Sequence, residues 1–188
     1  PLRRQRQMCI RDRDYTHNQI QLLRNGVSFI EKMVETINKA ESFIFLHTYI
    51  LSIDEVTGPI ITALKKKAAM GVKTFVICDS VGSTDLSESS LLVLKKSEIN
   101  FKLFHPFFPL NQIGRRLHQK VLLVDNKFVI LGGINLAKRF NLPEGENPWL
   151  DYSVYLEGQE VRQVLSQILP LYQKEFKKHR AFFYKIHH

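Results

Sequence analysis

His118 and Lys120 stand two residues apart in the run 117–135, which reads LHQKVLLVDNKFVILGGIN. Side chains alternate along a strand, so a strand here presents an imidazole and an ammonium side by side from a rigid element. That pair suits phosphate chemistry. A neutral imidazole can attack phosphorus or move a proton near neutral pH, while an ammonium neutralises a non-bridging oxygen as charge builds in the transition state. Downstream, Gly132 and Gly133 let the backbone approach a ligand closely, and the Asn135 amide can donate to a second phosphate oxygen. The same residues also fit a surface His and Lys on an edge strand followed by a glycine turn, and the stretch taken alone leaves both readings open.

The elements that must hold this run alternate in type. Phe29, Ile30, Met33, Val34 and Ile37 recur at helical spacing over 27–39, after an Asn25-Gly26 turn and cap. SFIFLHTYIL, over 42–51, reads as a strand buried on both faces. A helix over 56–70 ends at Gly71, VKTFVIC is a second buried strand, a helix over 86–96 follows, and then a strand over 99–104. Helix and strand in turn predict an α/β sheet with at least a parallel portion, flanked by helices. Strands over 117–124 and 127–131 are joined at Asp125-Asn126, a hairpin signal, and 152–156 is another strand. The final helix, from Gln159, places Val161, Val164, Leu165, Ile168, Leu169 and Tyr172 on one face, with a kink expected at Pro170.

The composition bounds what this scaffold can be. The chain has 188 residues, 44% hydrophobic and 24% charged, which suits one packed domain rather than a disordered or disulfide-stapled protein. Cys9 and Cys78 have no neighbouring Cys or His cluster, so neither a metal site nor a disulfide framework is expected. No apolar run approaches the roughly 20 residues that span a bilayer. The opening PLRRQRQMCIRDR resembles translated adaptor sequence; it carries +4 of the net +9, leaving +5, and the natural chain is expected to start near Asp14. The remaining +5 fits an anionic partner, membrane surface or nucleic acid, and equally a solvated face.

His118, Lys120, Asp125, Gly132, Gly133 and Asn135 together match His-x-Lys, four residues, Asp, six residues, Gly-Gly, x, Asn. This pattern resembles the signature of the phospholipase D superfamily. Within that superfamily the likeness is to the N-terminal half of bacterial cardiolipin synthases. It extends over HTYIL, AAMGVKTFVICDSVGS, Phe104-His105-Pro106 and WLDYSVYLEGQEV. The resemblance implies a phospholipase D-like half with a mixed, mostly parallel sheet over 14–188. It implies a two-step displacement through a phosphohistidine, with no metal or other cofactor. His118 is then the nucleophile or its acid–base partner, Lys120 and Asn135 bind phosphate oxygens, and Asp151 orients the catalytic His. Asp125 is expected to be structural. His47 stands where the family often has an acidic residue, and as a His on a buried strand it is expected to be a core residue.

The signature occurs once, whereas the family's site needs two half-sites. Either a second signature-bearing half belongs to the same chain, the favoured reading, or two copies pair as a homodimer. HPFFPL, over 105–110, lies just upstream of Arg115 and Arg116. It either dips into the acyl region while those arginines meet lipid phosphate, or packs as a loop. The lysines at 65–67 and the basic run 174–180 are either leaflet contacts or solvated helix faces. The leading expectation is a phosphatidyltransferase that makes cardiolipin from phosphatidylglycerol at a bacterial cell membrane, peripheral or anchored by a segment outside this chain. A homodimeric phosphodiesterase or nuclease, with nucleic acid as partner, is the alternative. A non-catalytic half that binds anionic lipid or a partner chain is the third reading.

Overall fold

The computed structural model describes residues 18–104, 116–142 and 149–187. The 1–13 segment, HPFFPL and Arg115 lie outside the described residues. In chain order the elements are β1 (Gln19–Arg24), α1 (Val27–Asn38), β2 (Phe43–Thr48), α2 (Gly58–Ala69), β3 (Lys73–Asp79), α3 (Glu88–Lys96) and β4 (Asn100–Phe104). They continue with β5 (Lys120–Val124), β6 (Phe128–Gly132), β7 (Tyr152–Glu157), α4 (Val161–Glu175) and α5 (Arg180–His187).

One seven-stranded sheet runs in the order β1-β7-β6-β5-β2-β3-β4. It is mixed and flanked by helices, as expected, but it is not mostly parallel. Only β2–β3 and β3–β4 pair parallel, whereas β1–β7, β7–β6, β6–β5 and β5–β2 are antiparallel. Parallel neighbours need a crossover, which α2 and α3 supply. From Lys120 onward no α-helix separates the strands among the described residues until β7 has ended, and Asp125 at φ 52° turns β5 directly back into β6. β5 also begins at Lys120, so His118 lies in the lead-in to the strand rather than within it. β1 and α5 have no counterpart in the sequence reading. The α4 helix runs through Pro170 to Glu175.

Period-two alternation divides the core between the two faces of the sheet. Ile44, Leu46, Val76, Leu122, Val124 and Ile130 meet α1 and α2 on one face. Phe43, Phe45, Phe75, Ile77, Leu123 and Val129 meet Leu165, Leu169, Tyr172 and Phe183 of α4 and α5 on the other. The second face is aromatic. Phe45 stacks on Tyr172 with ring centroids 4.2 Å apart, and Phe75 packs edge-on against Phe176 at 5.2 Å. Truncating a ring as enclosed as Phe45, which is fully buried, costs about 3–5 kcal/mol.

His47 is the polar exception on that aromatic face. It is fully buried, and its Nδ1 lies 3.0 Å from the Tyr172 hydroxyl. Desolvation pushes its pKa down to about 4, only partly opposed by Gln119, and Nε2 makes no hydrogen bond of normal geometry. Neutral His47 is therefore a core residue tying β2 to α4. Its folded pKa lies below the ordinary 6.5, so between the two values the unfolded chain binds more protons. That contribution to stability is complete above pH 6.5 and is lost as pH falls towards 4, by on the order of 3 kcal/mol. Urea titrations of wild type and His47→Gln at pH 6.5 and near pH 4 check this. The variant is expected to lose less stability over that interval, and equal losses would assign the acid sensitivity to other groups.

Candidate functional site

All the signature residues except Asp125 lie towards one end of the sheet, where β2, β3 and β6 finish and β5 and β7 begin. Across that end Lys120 pairs with Gly132, and Gly132 with Ser153. The Lys120 stem is buried, and the cavity it enters is also lined by Phe29, Met33 and Ser153. Its ammonium stands 3.4 Å from each ring nitrogen of His118 and donates to the His118 carbonyl at 2.8 Å. His118 is exposed, with its imidazole available at the surface. Burial pushes the Lys120 pKa below its ordinary value, and the Asp151 carboxylate opposes that shift.

Asn135 lies in the loop after β6. Its Oδ1 accepts from the Ile50 amide at 3.3 Å, and its Nδ2 donors make no hydrogen bond to the described residues, a disposition that suits an anion. Asp151 precedes β7. Its carboxylate accepts from the Tyr152 amide at 2.8 Å and rests on the bare Cα of Gly133, where an added Cβ would meet Oδ1 at 2.1 Å. The carboxylate thus acts on Tyr152 and Lys120 and makes no hydrogen bond to His118 in this structure. Gly132 is tighter, because a Cβ there would meet Ser153 Cα at 2.5 Å and the Tyr152 carbonyl at 2.6 Å. Arg116 is exposed two residues before His118.

Asp125 sits at the far end of the β5–β6 hairpin, away from this pocket. It is buried, and its carboxylate accepts from the amides of Glu41, Ser42 and Phe43 at 3.0, 3.0 and 2.8 Å. It clamps the start of β2, and it touches none of the other signature side chains.

Several residues that shape the pocket were not singled out as site residues from sequence. The Tyr49 ring lies 5.0 Å from the His118 ring, and the Lys120 ammonium is 5.6 Å from the Tyr49 centroid. Tyr49 presses on Gly82, where a Cβ would meet its ring at 2.9 Å. Fully buried Asp79 accepts from the amides of Val81, Gly82 and Leu117, which fixes the backbone just before His118. Asn25, read as a helix cap, instead donates to the Phe140 and Trp149 carbonyls and accepts from the Asp151 amide. Asn141 donates to the Asn135 and Ala137 carbonyls. The available signal was the position of these short polar residues at the ends of elements, Asn25 just after β1, Asp79 at the last residue of β3 and Asn141 just after a short 3-10 turn over 138–140, where side chains commonly satisfy loop backbone.

Among the described residues no group of three or more His, Cys, Asp or Glu could hold a metal ion, and no helix is long and apolar enough to cross a membrane. What gathers here is an exposed imidazole, a half-desolvated ammonium and a free amide, a set suited to a phosphodiester.

Residues 33–178 match the family model described as cardiolipin synthase, phospholipase D-like domain. Cardiolipin synthase B of Salmonella typhimurium is 38% identical over 152 residues, covering 79% of this chain and 37% of that protein. A cardiolipin synthase of Clostridium perfringens is 34% identical over 157 residues, covering 81% of this chain and 33% of that one. The chain therefore spans little more than a third of these relatives' length. In fold it is similar to a phospholipase D family member, Nuc, from Salmonella typhimurium, with TM-score 0.61 and 19% identity over 86% of this chain and 95% of that chain. It is also similar in fold to phosphatidylserine synthase of Haemophilus influenzae, with TM-score 0.60 and 13% identity over 83% of this chain and 39% of that chain.

The two glycines make separable predictions. A Cβ at Gly132 collides with β7 backbone, so Gly132→Ala is expected to destabilise the domain by about 1–3 kcal/mol. A Cβ at Gly133 meets only the Asp151 side chain, which can rotate away, so Gly133→Ala should cost less than about 1 kcal/mol. It should nevertheless lower the Lys120 pKa further, because the carboxylate that supports the ammonium moves off. Urea unfolding and NMR titration of the Lys120 side chain check both; an unchanged Lys120 titration in Gly133→Ala would remove the Asp151–Lys120 coupling.

Proposed function

The chain belongs to the cardiolipin synthase, phospholipase D-like domain family, and on that premise we propose that it is one catalytic half of a phosphatidyltransferase that makes cardiolipin from phosphatidylglycerol. The observation that supports this reading is the convergence of His118, Lys120 and the free Asn135 amide at one end of the sheet. In the proposed reaction an imidazole nitrogen of His118 attacks the phosphorus of one phosphatidylglycerol. The P–O bond to the head-group glycerol breaks, and that alkoxide leaves with a proton from an acid. The phosphohistidine is then attacked by the hydroxyl of a second phosphatidylglycerol as a base takes the hydroxyl proton, which forms cardiolipin and frees His118. Lys120 and Asn135 hold the non-bridging oxygens throughout. Gly132 lets β7 close against β6 and Gly133 makes room for the Asp151 carboxylate, while Arg116 supplies a further positive charge at the edge of the site.

The family resemblance implies that the acid and base are a second His, and the reading accordingly assigns that His to a second signature-bearing half, in the same chain or on another copy of this one. Anionic lipid at a bacterial membrane surface is its substrate partner. Asp151 acts in this scheme on Lys120, by holding the ammonium charged despite its burial.

The test compares the 188-residue chain with a longer protein that also carries a second signature. The chain alone, if monomeric by light scattering, is expected to be inactive on phosphatidylglycerol vesicles and on chromogenic phosphodiesters, while the two-half protein forms cardiolipin. In that protein His118→Ala should abolish transfer, and Asn135→Ala should slow it by about 100-fold. An acid-labile phosphatidyl adduct should appear on His118 in a single turnover, read by mass spectrometry. An active homodimer of the short chain would overturn the two-half reading, and activity on DNA without activity on lipid would overturn the substrate.

A further inference from the structure

An open groove of about 540 Å³ lies between α1 and the start of α2 and is lined by none of His118, Lys120 and Asn135. Its walls are Val27, Ile30, Val34, Val56 and Pro59, with Asn141 at one end and Asn38 at the other. The apolar residues of α1 recur at three- and four-residue spacing, so they form a stripe along one face of the helix. Val34 and Val56 back onto the core, whereas Val27 is 54% exposed although it is aliphatic.

The groove begins where the phosphate pocket ends. Asn141 donates through Nδ2 to the Asn135 carbonyl at 2.8 Å and accepts through Oδ1 from the Gly26 amide at 3.3 Å. One side chain thus separates the phosphate-facing loop from the groove, and Val27 directly follows Gly26. On the other side of Gly26, Asn25 holds Asp151. From that end the groove follows α1 for its 12 residues, about 17 Å at the helical rise. One leaflet of a bilayer has a hydrocarbon depth of about 15 Å, half of the usual core.

We propose that this groove holds one acyl chain of the phospholipid whose phosphate is bound by His118, Lys120 and Asn135, so that the chain lies along α1 away from the reacting centre. The inference rests on the phospholipid reading above and adds a binding site for the tail. Its volume lies in the range of small-ligand pockets, and its length matches a chain that is extended by half a bilayer. The groove walls are helix faces whose backbone groups are already bonded within the helices, which suits an occupant without donors or acceptors. Position sets the direction. The Asn141 end of the groove adjoins the loop that carries Asn135, and Glu31 one turn beyond Val27 disfavours an anionic head along its length, while Glu35 there is paired with Lys32 and Lys39.

The experiment uses the 188-residue chain and isothermal titration with three probes: inorganic phosphate, glycerophosphoglycerol, and lysophosphatidylglycerols of octanoyl and palmitoyl chain length kept below their micelle concentrations. Affinity is expected to rise by at least about tenfold from glycerophosphoglycerol to the palmitoyl probe. Val34→Glu should remove that rise while leaving phosphate affinity unchanged. Val27→Glu, at an exposed first-turn position where a carboxylate does not strain the helix, should do the same without disturbing the core. Circular dichroism and urea midpoints identify any variant that fails to fold. Affinity independent of chain length, or a chain-length effect untouched by either variant, overturns the proposal. If the variants instead block association with a second half or copy and leave lipid affinity intact, the groove is a protein interface and the proposal is also overturned. Failure of the phospholipid reading looks different: phosphate would then bind no more weakly to Lys120→Ala than to wild type.

Discussion

Three backbone amides converge on the carboxylate of Asp125, and the geometry of the rest of the site depends on that clamp. A buried carboxylate is tolerated only where donors surround it, and charged acceptors make the stronger hydrogen bonds. Asp125 gains those donors by adopting the left-handed conformation at the tip of the β5–β6 turn, where its own amide also donates to the Phe43 carbonyl at 3.0 Å. The turn is thereby fastened to the start of β2. Strand register follows: Ile44 faces Val124 and His47 faces Val121, so the antiparallel pair cannot slip by one residue without turning both buried faces inside out. At the opposite end of the same pair, β2 runs out at Thr48 as β5 begins at Lys120. The clamp consequently decides, from a distance, that Tyr49 arrives beside His118.

The end of the sheet that carries the candidate site is held by a few buried polar side chains, each of which satisfies the backbone of more than one segment. Asp79 binds the turn after β3 and the backbone before His118, Asn25 joins β1 to the segment before β7, and Asn141 joins the Asn135 loop to the start of α1. Loops that meet at a sheet end carry amides and carbonyls that cannot pair within strands, and these side chains supply the missing partners. Apolar packing would tolerate several arrangements of such loops, whereas directional hydrogen bonds select one. Ser83 extends the network by accepting from the Leu51 amide and donating to the Tyr49 carbonyl. The candidate groups His118, Lys120 and Asn135 make few hydrogen bonds to the described residues. Their positions are imposed by the surrounding backbone, which leaves their donors free for a ligand.

Legibility in the sequence follows the strength of the physical signal. FIFLHT and KTFVICD are buried on nearly every side chain, and their apolar runs announce strands without ambiguity. QIQLLR buries only Leu23, since it is an edge strand whose other side chains face solvent, so periodicity gives little hint of β1. RAFFYKIH is too short to show a helical period, yet Phe183 is fully buried against the aromatic face. The parallel share was overestimated because alternation of helix and strand stops after β4, and local pattern does not report which strands become neighbours. The same division holds at the site. The signature positions were legible because they recur at fixed spacing, while Tyr49, Asp79, Asn25 and Asn141 act only through contacts between segments distant in the chain. Asp151 was singled out as the carboxylate that orients a catalytic His, whereas it stands against the Tyr152 amide and acts on Lys120, because a one-dimensional spacing cannot say whether a carboxylate faces an imidazole or an ammonium.

The ammonium of Lys120 explains why the site sits at a sheet end. A lysine within the strands would lose its charge to desolvation, and one on an open loop would be screened and mobile. At the first residue of β5 the stem is buried beneath Phe29 and Met33 while the head reaches the pocket. Burial then works against the charge, and the Asp151 carboxylate works for it. Gly132 and Gly133 make this balance possible. The first brings β7 within contact of β6, and the second lets the carboxylate lie on bare backbone. A phosphate entering such a pocket meets a cation that is only partly compensated within the protein, so binding adds the opposite charge that burial has made valuable. The same logic ties the two ends of the domain together. Asp125 can be buried because three amides satisfy it outright, and it is therefore inert; Lys120 is incompletely satisfied, and that deficit is what a phosphate can fill.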